Sequence, residues 1–334
     1  MNEYFTYKEI DMKKVKIATV EAIKKIQGLD QVRVLSNSAR SSFINCRRKF
    51  LYEYIYCLKP NEIYIPFLIG SLFHSELEHL YSSPSTWSIK TMDKRVTAEI
   101  GKSVKLSTDE AATDKLWSQR AIIIGMLKGY KNWYKGDEFK WKDIKPEMQF
   151  LVDIPHSNGW KYTGKVDLNF LLKGKRTLCE HKTTSSLDVN YISRLPLDFQ
   201  ILGYLWGFSE FIGVMPHSIL YNVVKKTQLR QGKNEKFNDY LKRVSDDYSL
   251  YKEKYYYREP LRFGTKEIRA FVVELRKLTT EMDRAFSDDF YYMNSSTCTT
   301  YGKCAYMPLC LNGVNNDTLS RYRIKDRIHE ELEE

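Results

Sequence analysis

The sequence predicts a mixed α/β fold in which helices flank a central mixed β-sheet. Three apolar runs separated by turn residues predict a three-stranded meander over residues 147–184. An amphipathic helical pattern precedes the meander at 69–81, a second follows it at 198–212, and a further strand is predicted at 218–226. The order helix, three strands, helix, strand is typical of a sheet covered by helices.

Composition and charge restrict the function classes. The chain has 334 residues, 43% of them hydrophobic, which is enough for one large domain or for a domain with insertions. Its net charge of +11 favours a polyanionic partner such as nucleic acid, without requiring one. No run approaches the roughly 18 apolar residues of a membrane span, and the first residues lack an apolar signal segment. We therefore expect a cytoplasmic protein without a membrane anchor.

The second predicted hairpin places acidic residues together. If Lys173 and Gly174 form a two-residue loop, counting back pair by pair sets Asp167 opposite Glu180. Alternation puts Lys182 on the same face and turns the His181 side chain to the other face. Because two adjacent carboxylates repel each other, this arrangement predicts a bound metal ion between them.

Asp167 followed by Glu180-x-Lys182 across a hairpin resembles the core of the PD-(D/E)xK nucleases. Within that superfamily the sequence is similar to RecB-like and CRISPR-associated-type exonucleases that carry an iron–sulfur cluster, including phage and viral members. Val166 stands where proline precedes the aspartate in the full signature. The resemblance implies a restriction-endonuclease-like fold and a metal-dependent deoxyribonuclease acting on single strands or DNA ends.

Further residues match the motifs of this family. The string from Gly70 to Glu78 resembles a histidine motif and implies that His74 is a metal ligand, although a lone histidine on such a helix is commonly structural. Gln200 and Tyr204 lie four residues apart on one helix face and resemble a Gln-x-x-x-Tyr motif, which lies against the site and the substrate strand.

The resemblance also implies how these residues divide the chemistry. Mg²⁺ or Mn²⁺ would be held by His74, Asp167, Glu180 and the carbonyl of His181. Lys182 would orient or deprotonate the attacking water. The simple register of the first hairpin puts Glu147 on the face opposite Asp167, so that Glu147 lies outside the predicted site.

The cysteines form a second set. Six cysteines in a cytoplasmic chain of this size do not predict a disulfide framework. The segment from Cys298 to Cys310, with Cys304 between them, resembles the closing motif of the iron–sulfur nucleases, and Cys46 resembles their first ligand. The resemblance implies a 4Fe-4S cluster on these four thiolates. Zinc on the same ligands is the alternative, and Cys46 by itself could be a buried small side chain.

The residues after Cys46 are candidates for contact with DNA. Arg47 and Arg48 could bind phosphates of the substrate, and the family motif places Tyr204 against the substrate strand as well.

The motifs also predict a domain organisation. A basic amphipathic helix is predicted at 12–27, with docking favoured over direct DNA contact, and a solvated helix end is predicted at the acidic C-terminus. The predicted parts are an N-terminal helical extension (1–35), an iron–sulfur lobe (36–60 and 285–312), a nuclease domain (61–284) with a helical insertion (about 82–146), and a charged tail (313–334).

Two other functions remain open. The chain could be a non-catalytic nucleic-acid-binding scaffold on a nuclease fold. It could instead be a subunit of a repair or integration complex that acts only with a helicase, recombinase or integrase. The pathway could be recombination, repair, replication or CRISPR-adaptation-like processing.

Overall fold

The structure is a computed structural model that describes residues 18–27, 33–62, 64–106, 110–300 and 302–332. Of the helix predicted at 12–27, residues 12–17 lie outside the described residues, and a helix is observed at Val20–Gln27.

The described residues form helices and strands in the predicted mixed order. The helices are α1 (Val20–Gln27), α2 (Asn37–Asn45), α3 (Arg47–Phe50), α4 (Ile65–Ser82), α5 (Ile89–Leu106), α6 (Glu110–Trp133), α7 (Asp137–Lys140), α8 (Val189–Ser193), α9 (Phe199–Ile212), α10 (Phe237–Leu250), α11 (Lys252–Tyr255), α12 (Thr265–Ser287), α13 (Met307–Asn312) and α14 (Asn316–Leu319). The strands are β1 (Val34–Leu35), β2 (Leu58–Pro60), β3 (Trp141–Asp153), β4 (Lys161–Leu172), β5 (Lys175–Thr184), β6 (Ser218–Lys225), β7 (Tyr256–Leu261) and β8 (Tyr322–Ile324).

The central sheet is mixed, which confirms the predicted fold class. Its strand order is β1-β4-β5-β6-β7, and β3 also pairs with β4. β4 and β5 are antiparallel, β5 and β6 are parallel, and β6 and β7 are antiparallel. Lys173 and Gly174 join β4 to β5 with φ of 50° and 75°, the two positive values that a type I′ hairpin loop requires. The loop therefore sets the predicted register.

The chain divides into two compact units. Among the described residues, the first contains 18–62, 153–163 and 272–332, and the second contains 63–152 and 164–271 without the gaps noted above. Each unit has its own buried side chains.

In the second unit, apolar alternation separates the two faces of the sheet. Leu168, Phe170 and Cys179 belong to a buried core with side chains of α4, α5, α6 and α10. Because strand side chains alternate, Asp167 and Glu180 point to the opposite face. α9 approaches that face closely, since a Cβ added at Gly207 would lie 2.2 Å from the ring of Phe150 in β3.

The second unit also contains the region predicted as a helical insertion. α5 and α6 are two long helices that pack with α4 and α10 in the same core. β3 begins at Trp141, earlier than the strand start predicted at residue 147.

In the first unit, the helical region that begins at Asn37 is interrupted. α2 ends at Asn45, and Cys46 has an extended backbone (φ −162°, ψ 108°) before α3 begins. A π-helical turn at Leu51–Ile55 follows α3. Cys46 therefore lies at a break between two helices and not inside one.

The acidic C-terminal end, predicted as a solvated helix end over 326–334, contains a single 3₁₀ turn at Glu330–Leu332 in its described part. Just before it, β8 pairs antiparallel with β2 and sets Leu58 beside Ile324. Glu330 lies 2.7 Å from Lys59. The buried apolar side chains of Ile324 and Leu332 give this segment a reason to pack, although its charges predict exposure.

None of the described helices combines the length and the apolar character that a membrane span requires.

Candidate active site

The β4–β5 hairpin brings the two predicted carboxylates together. Leu172 faces Lys175 and Leu168 faces Cys179, so the next residues in this register are Asp167 and Glu180. Asp167 Oδ2 accepts the backbone N–H of His181 at 2.6 Å. Asp167 is 8% exposed and Glu180 is 1% exposed. The structure therefore holds two buried carboxylates side by side.

His74 of α4 lies against Asp167. Its Nδ1 is 3.3 Å from Asp167 Oδ1. Burial lowers the pKa of His74, but the charge and the hydrogen bond of Asp167, together with the charge of Glu180, outweigh it and raise the pKa above its ordinary value. Burial raises the pKa of Asp167, but His74 and the His181 N–H together hold it well below its usual range. The two side chains form a partly buried ion pair, in which the side chain of His74 is 30% exposed and that of Asp167 is 10% exposed.

The pKa of Glu180 is shifted in the opposite direction to that of Asp167. Burial and the charge of Asp167 raise its pKa well above the usual value, and the Lys182 ammonium, which contacts Glu180 Oε1, opposes this shift. Glu180 Oε2 is buried and has no hydrogen-bond partner among the described residues. A carboxylate oxygen in this state, beside a second carboxylate, fits a divalent cation.

The carboxylates already have protein cations as neighbours, His74 and Lys182. Within the part of the chain that the structure describes, no group of three or more His, Cys, Asp and Glu side chains is arranged as a metal site.

α9 supplies the remaining side chains of the row Glu180, Lys182, Gln200 and Tyr204, which we call the catalytic row after the role proposed for it below. Lys182 Nζ donates to Gln200 Oε1 at 2.8 Å, and Gln200 Nε2 donates to Tyr204 Oη at 2.7 Å. Asp198 caps the helix, and its Oδ1 accepts the N–H of Gln200 at 2.9 Å. The spacing of four residues places Gln200 and Tyr204 on one face, as predicted.

The side chain of His181 points away from the carboxylates, as the alternation predicts. Its Nδ1 lies 2.6 Å from Asn222 Nδ2, while Asn222 Oδ1 accepts from Arg258 Nε at 3.2 Å. Arg258 thereby orients the amide, which donates to His181 Nδ1 and leaves the proton on Nε2. Burial lowers the pKa of His181 to about 3, so the ring is neutral. Sequence patterns did not reveal Asn222 or Arg258, because each comes from a different strand.

Glu147 was left out of the predicted site but lies close to Asp167. Its φ of 53° breaks the alternation of β3, so the simple register does not hold there. Lys165 Nζ lies 2.6 Å from Glu147 Oε2. Burial and then the charge of Asp167 raise the pKa of Glu147 to about 7. No local sequence signal marks a non-glycine residue with positive φ inside a strand.

The two predicted phosphate-binding arginines, in the first unit, both contact protein groups. Arg47 lies 2.6 Å from Glu281 and stands over the rings of Phe43 and Tyr292. Arg48 Nε donates to the carbonyl of Tyr291 at 2.8 Å.

The four predicted cluster ligands are also in the first unit, and all six cysteines are free thiols. Cys46 Sγ accepts the N–H of Asn294 at 3.4 Å, and the N–H of Cys304 donates to the carbonyl of Cys298 at 2.8 Å. Burial raises the pKa of Cys310, and the Cys304 and Cys46 thiols raise it further, against Tyr52 and Arg48. The fold thus brings thiols from distant parts of the chain near one another.

No curated protein sequence matches the chain. The solved structures that are similar to it include two crystal structures. SSO0001 shares 13% identity over 88% of this chain and 96% of its own, with a TM-score of 0.36. A "Putative exonuclease" from Eubacterium rectale shares 11% identity over 84% of this chain and 91% of its own, with a TM-score of 0.44. The sequence pattern of the PD-(D/E)XK nuclease superfamily matches residues 34–311. Since this match covers most of the chain, the protein belongs to the PD-(D/E)XK nuclease superfamily.

Proposed function

We propose that this nuclease is a divalent-metal-dependent deoxyribonuclease, an exonuclease that prefers single-stranded DNA or DNA ends. One observation carries the proposal: Asp167, Glu180 and Lys182 lie on one buried face, in contact with His74 and Gln200. A fold can bury such a set for stability alone only at a cost, because the adjacent carboxylates repel each other. In a site that cleaves phosphodiesters, the same side chains would bind the metal ion and orient the reactants.

His74, Asp167, Glu180 and the carbonyl of His181 would hold Mg²⁺ or Mn²⁺. The unpartnered, buried Oε2 of Glu180 supports this assignment. Such an ion, when bound, polarises the scissile phosphate and lowers the pKa of a water molecule.

The chain's own groups would orient the reactants. Burial lowers the pKa of Lys182, but Glu180 outweighs it and keeps the pKa above its usual value, so the side chain is an ammonium. An ammonium held by Glu180 and Gln200 can donate to a water or a phosphate oxygen, which favours orientation over deprotonation of the water. Tyr204, which accepts from Gln200, would face the substrate strand.

We further propose that the enzyme is RecB-like and carries a 4Fe-4S cluster on Cys46, Cys298, Cys304 and Cys310. The N–H of Asn294 directed at Cys46 Sγ supports this, because such hydrogen bonds are typical at cluster thiolates. Iron and sulfide analysis of the purified protein distinguishes the cluster from zinc. Arg47 and Arg48 stay predictions for phosphate contact, which would compete with Glu281 and the Tyr291 carbonyl.

The test is digestion of end-labelled single- and double-stranded DNA with Mg²⁺, Mn²⁺ or EDTA. We expect cleavage with a metal, faster on the single strand, and none in EDTA. Lys182→Ala should bind DNA but not cut it. Cleavage by that variant at the wild-type rate would contradict the assignment.

The same assay addresses the alternatives. DNA binding without cleavage under every metal favours a scaffold or a subunit that needs a helicase, recombinase or integrase. Cleavage by the purified protein alone excludes both. We also propose that the enzyme processes DNA in recombination, repair, replication or CRISPR-adaptation-like reactions.

A further inference from the structure

A cavity of about 350 Å³ opens beside the catalytic row, in the same unit. It is lined by Arg194, Leu195, Leu197, Asp198 and Tyr221.

Two structural features connect this cavity to the candidate active site. Tyr221 of β6 is the register partner of Glu180 in β5, so the two side chains point to the same face of the sheet. Asp198 caps α9 and accepts the N–H of Gln200, whose amide oxygen binds Lys182. The cavity is therefore one side chain away from the groups that would act on a phosphodiester.

The wall of the cavity is apolar on one side. Leu195 is buried at its base, whereas Leu197 at its rim is 80% exposed. A single exposed leucine needs no explanation by itself. Here Leu197 lines a cavity next to the polar catalytic row. A flat apolar group in that cavity can pack against the leucine side chain.

The rim also carries an unpaired positive charge. The guanidinium of Arg194 lies over the ring of Tyr191 at 4.9 Å and forms no ion pair with any residue that the structure describes. Asp198 forms no ion pair with Arg194 among the described residues; its two oxygens accept from the N–H of Gln200 at 2.9 Å and from the hydroxyl of Tyr221 at 3.1 Å. A positioned, exposed guanidinium is suited to bind a phosphate.

We propose that this cavity binds one unpaired nucleotide of the substrate strand, next to the scissile phosphate. The base would pack against Leu195 and Leu197, and Arg194 would bind its phosphate. This inference rests on the proposed function and adds the place at which one unpaired nucleotide of the substrate strand is bound. A volume of about 350 Å³ is near the lower limit of ligand pockets, roughly 300 Å³, which suits one nucleotide and not a base pair. A base inside a duplex would first have to leave its stack.

The experiment is an abasic scan of binding. Affinities are measured in EDTA, so that no cleavage is needed, for a single-stranded oligonucleotide and for copies that lack one base at each position in turn. In the wild type we expect one position at which loss of the base weakens binding about fivefold or more, in the range of one base contact. In Leu197→Ser the penalty at that position should fall below about twofold. Leu250→Ser, in which another exposed leucine (72%) is changed, should keep the wild-type profile.

Arg194→Ala supplies the second arm. It should weaken binding of every oligonucleotide and reduce the slope of log affinity against log salt by about one unit, as expected for one lost phosphate contact. Arg230→Ala, at another exposed arginine of the same unit, should leave the position-specific penalty unchanged.

The outcomes separate this proposal from the proposed function. A flat scan in the wild type, or a penalty that persists unchanged in Leu197→Ser, overturns the nucleotide cavity. Cleavage of DNA together with a flat scan leaves the nuclease proposal standing and removes only the cavity. A position-specific penalty that falls in Leu197→Ser, without cleavage under any metal, supports the cavity and contradicts the nuclease activity. Absence of binding to all oligonucleotides overturns both.

Discussion

The catalytic row and the cysteine set are built in different ways. In the second unit, Lys182 contacts Glu180 and donates to Gln200, which donates to Tyr204, so each group is oriented by the next. In the first unit, the thiols come from residue 46 and from residues 298–310, and the backbone N–H of Asn294 contacts Cys46 Sγ. The side chains of the first set are linked to one another by hydrogen bonds, whereas the thiols of the second set are brought near one another by contacts of other groups, such as Asn294 with the Asn45 carbonyl and Tyr306 with the Leu58 carbonyl. A common ligand of the four thiols is the proposal made above.

This difference has an energetic basis. A two-residue hairpin and a helix spacing of four residues bring groups together at a small entropic cost. Joining Cys46 to Cys304 closes a loop of more than 250 residues, a cost that grows only slowly with length and that metal ligation can offset. We therefore expect variants of the catalytic row to change activity and variants of the cysteines to change stability.

The largest expected effect is on cleavage. Asp167→Asn and Glu180→Gln each remove a proposed anionic metal ligand, whose contribution to transition-state stabilisation would be several kcal/mol, so the rate should fall about 10³-fold or more. The variants should remain folded, since asparagine and glutamine keep the shape of the side chains that they replace. The rate is measured on end-labelled DNA with Mn²⁺. Asp153→Asn, at a side chain that is 79% exposed, is the matched control and should cut normally. A near wild-type rate in either site variant would show that the substituted carboxylate is not needed for cleavage. The two regions would then no longer differ in their effect on activity.

The next effect concerns the cysteine set. Cys46→Ser and Cys304→Ser should lower the iron content from about four per chain to less than one, and the melting temperature by about 5 °C or more. Cys57→Ser, at a buried cysteine outside the set, should keep its iron. Iron and sulfide assays with melting curves measure both quantities. Full iron content and unchanged stability in Cys46→Ser would mean that no common ligand joins Cys46 to the segment 298–310. Zinc in place of iron would keep the link and reject the cluster.

A smaller effect is expected inside the catalytic row. Tyr204→Phe removes the hydroxyl that accepts from Gln200 Nε2, a hydrogen bond of about 1 kcal/mol, so cleavage should slow roughly fivefold. Tyr251→Phe, at an exposed tyrosine, should have no effect on the rate. If Tyr204→Phe lowered the melting temperature and left the rate unchanged, Tyr204 would be a packing residue only.

The smallest effect is a pH dependence of stability. Burial and Asp167 raise the pKa of Glu147 from 4.5 to about 7, so its protonated form stabilises the fold below pH 4.5 and this contribution is lost as pH rises through 7. In EDTA, the melting temperature of the wild type should fall relative to Glu147→Gln by about 2 to 4 °C over that interval. Parallel pH profiles of the two proteins would show that Glu147 does not feel the charge of Asp167.

Much of the site follows from short-range patterns. The turn chemistry of Lys173 and Gly174 sets the β4–β5 register, and with it the shared face of Asp167, Glu180 and Lys182. The spacing of Gln200 and Tyr204 determines that they share a helix face. These features could be predicted because strand alternation and helix periodicity depend only on neighbouring residues.

Other features depend on the tertiary structure. Glu147 approaches Asp167 because one positive φ breaks the alternation of β3, and Asn222 and Arg258 orient His181 from two further strands. Arg47 lies 2.6 Å from Glu281, more than 200 positions away in sequence. Contacts of this kind are decided by how separate elements pack, and no local pattern encodes them. The residue types and the faces of the catalytic row can therefore be read from the sequence, whereas the groups that hold and tune those residues are known only from the fold.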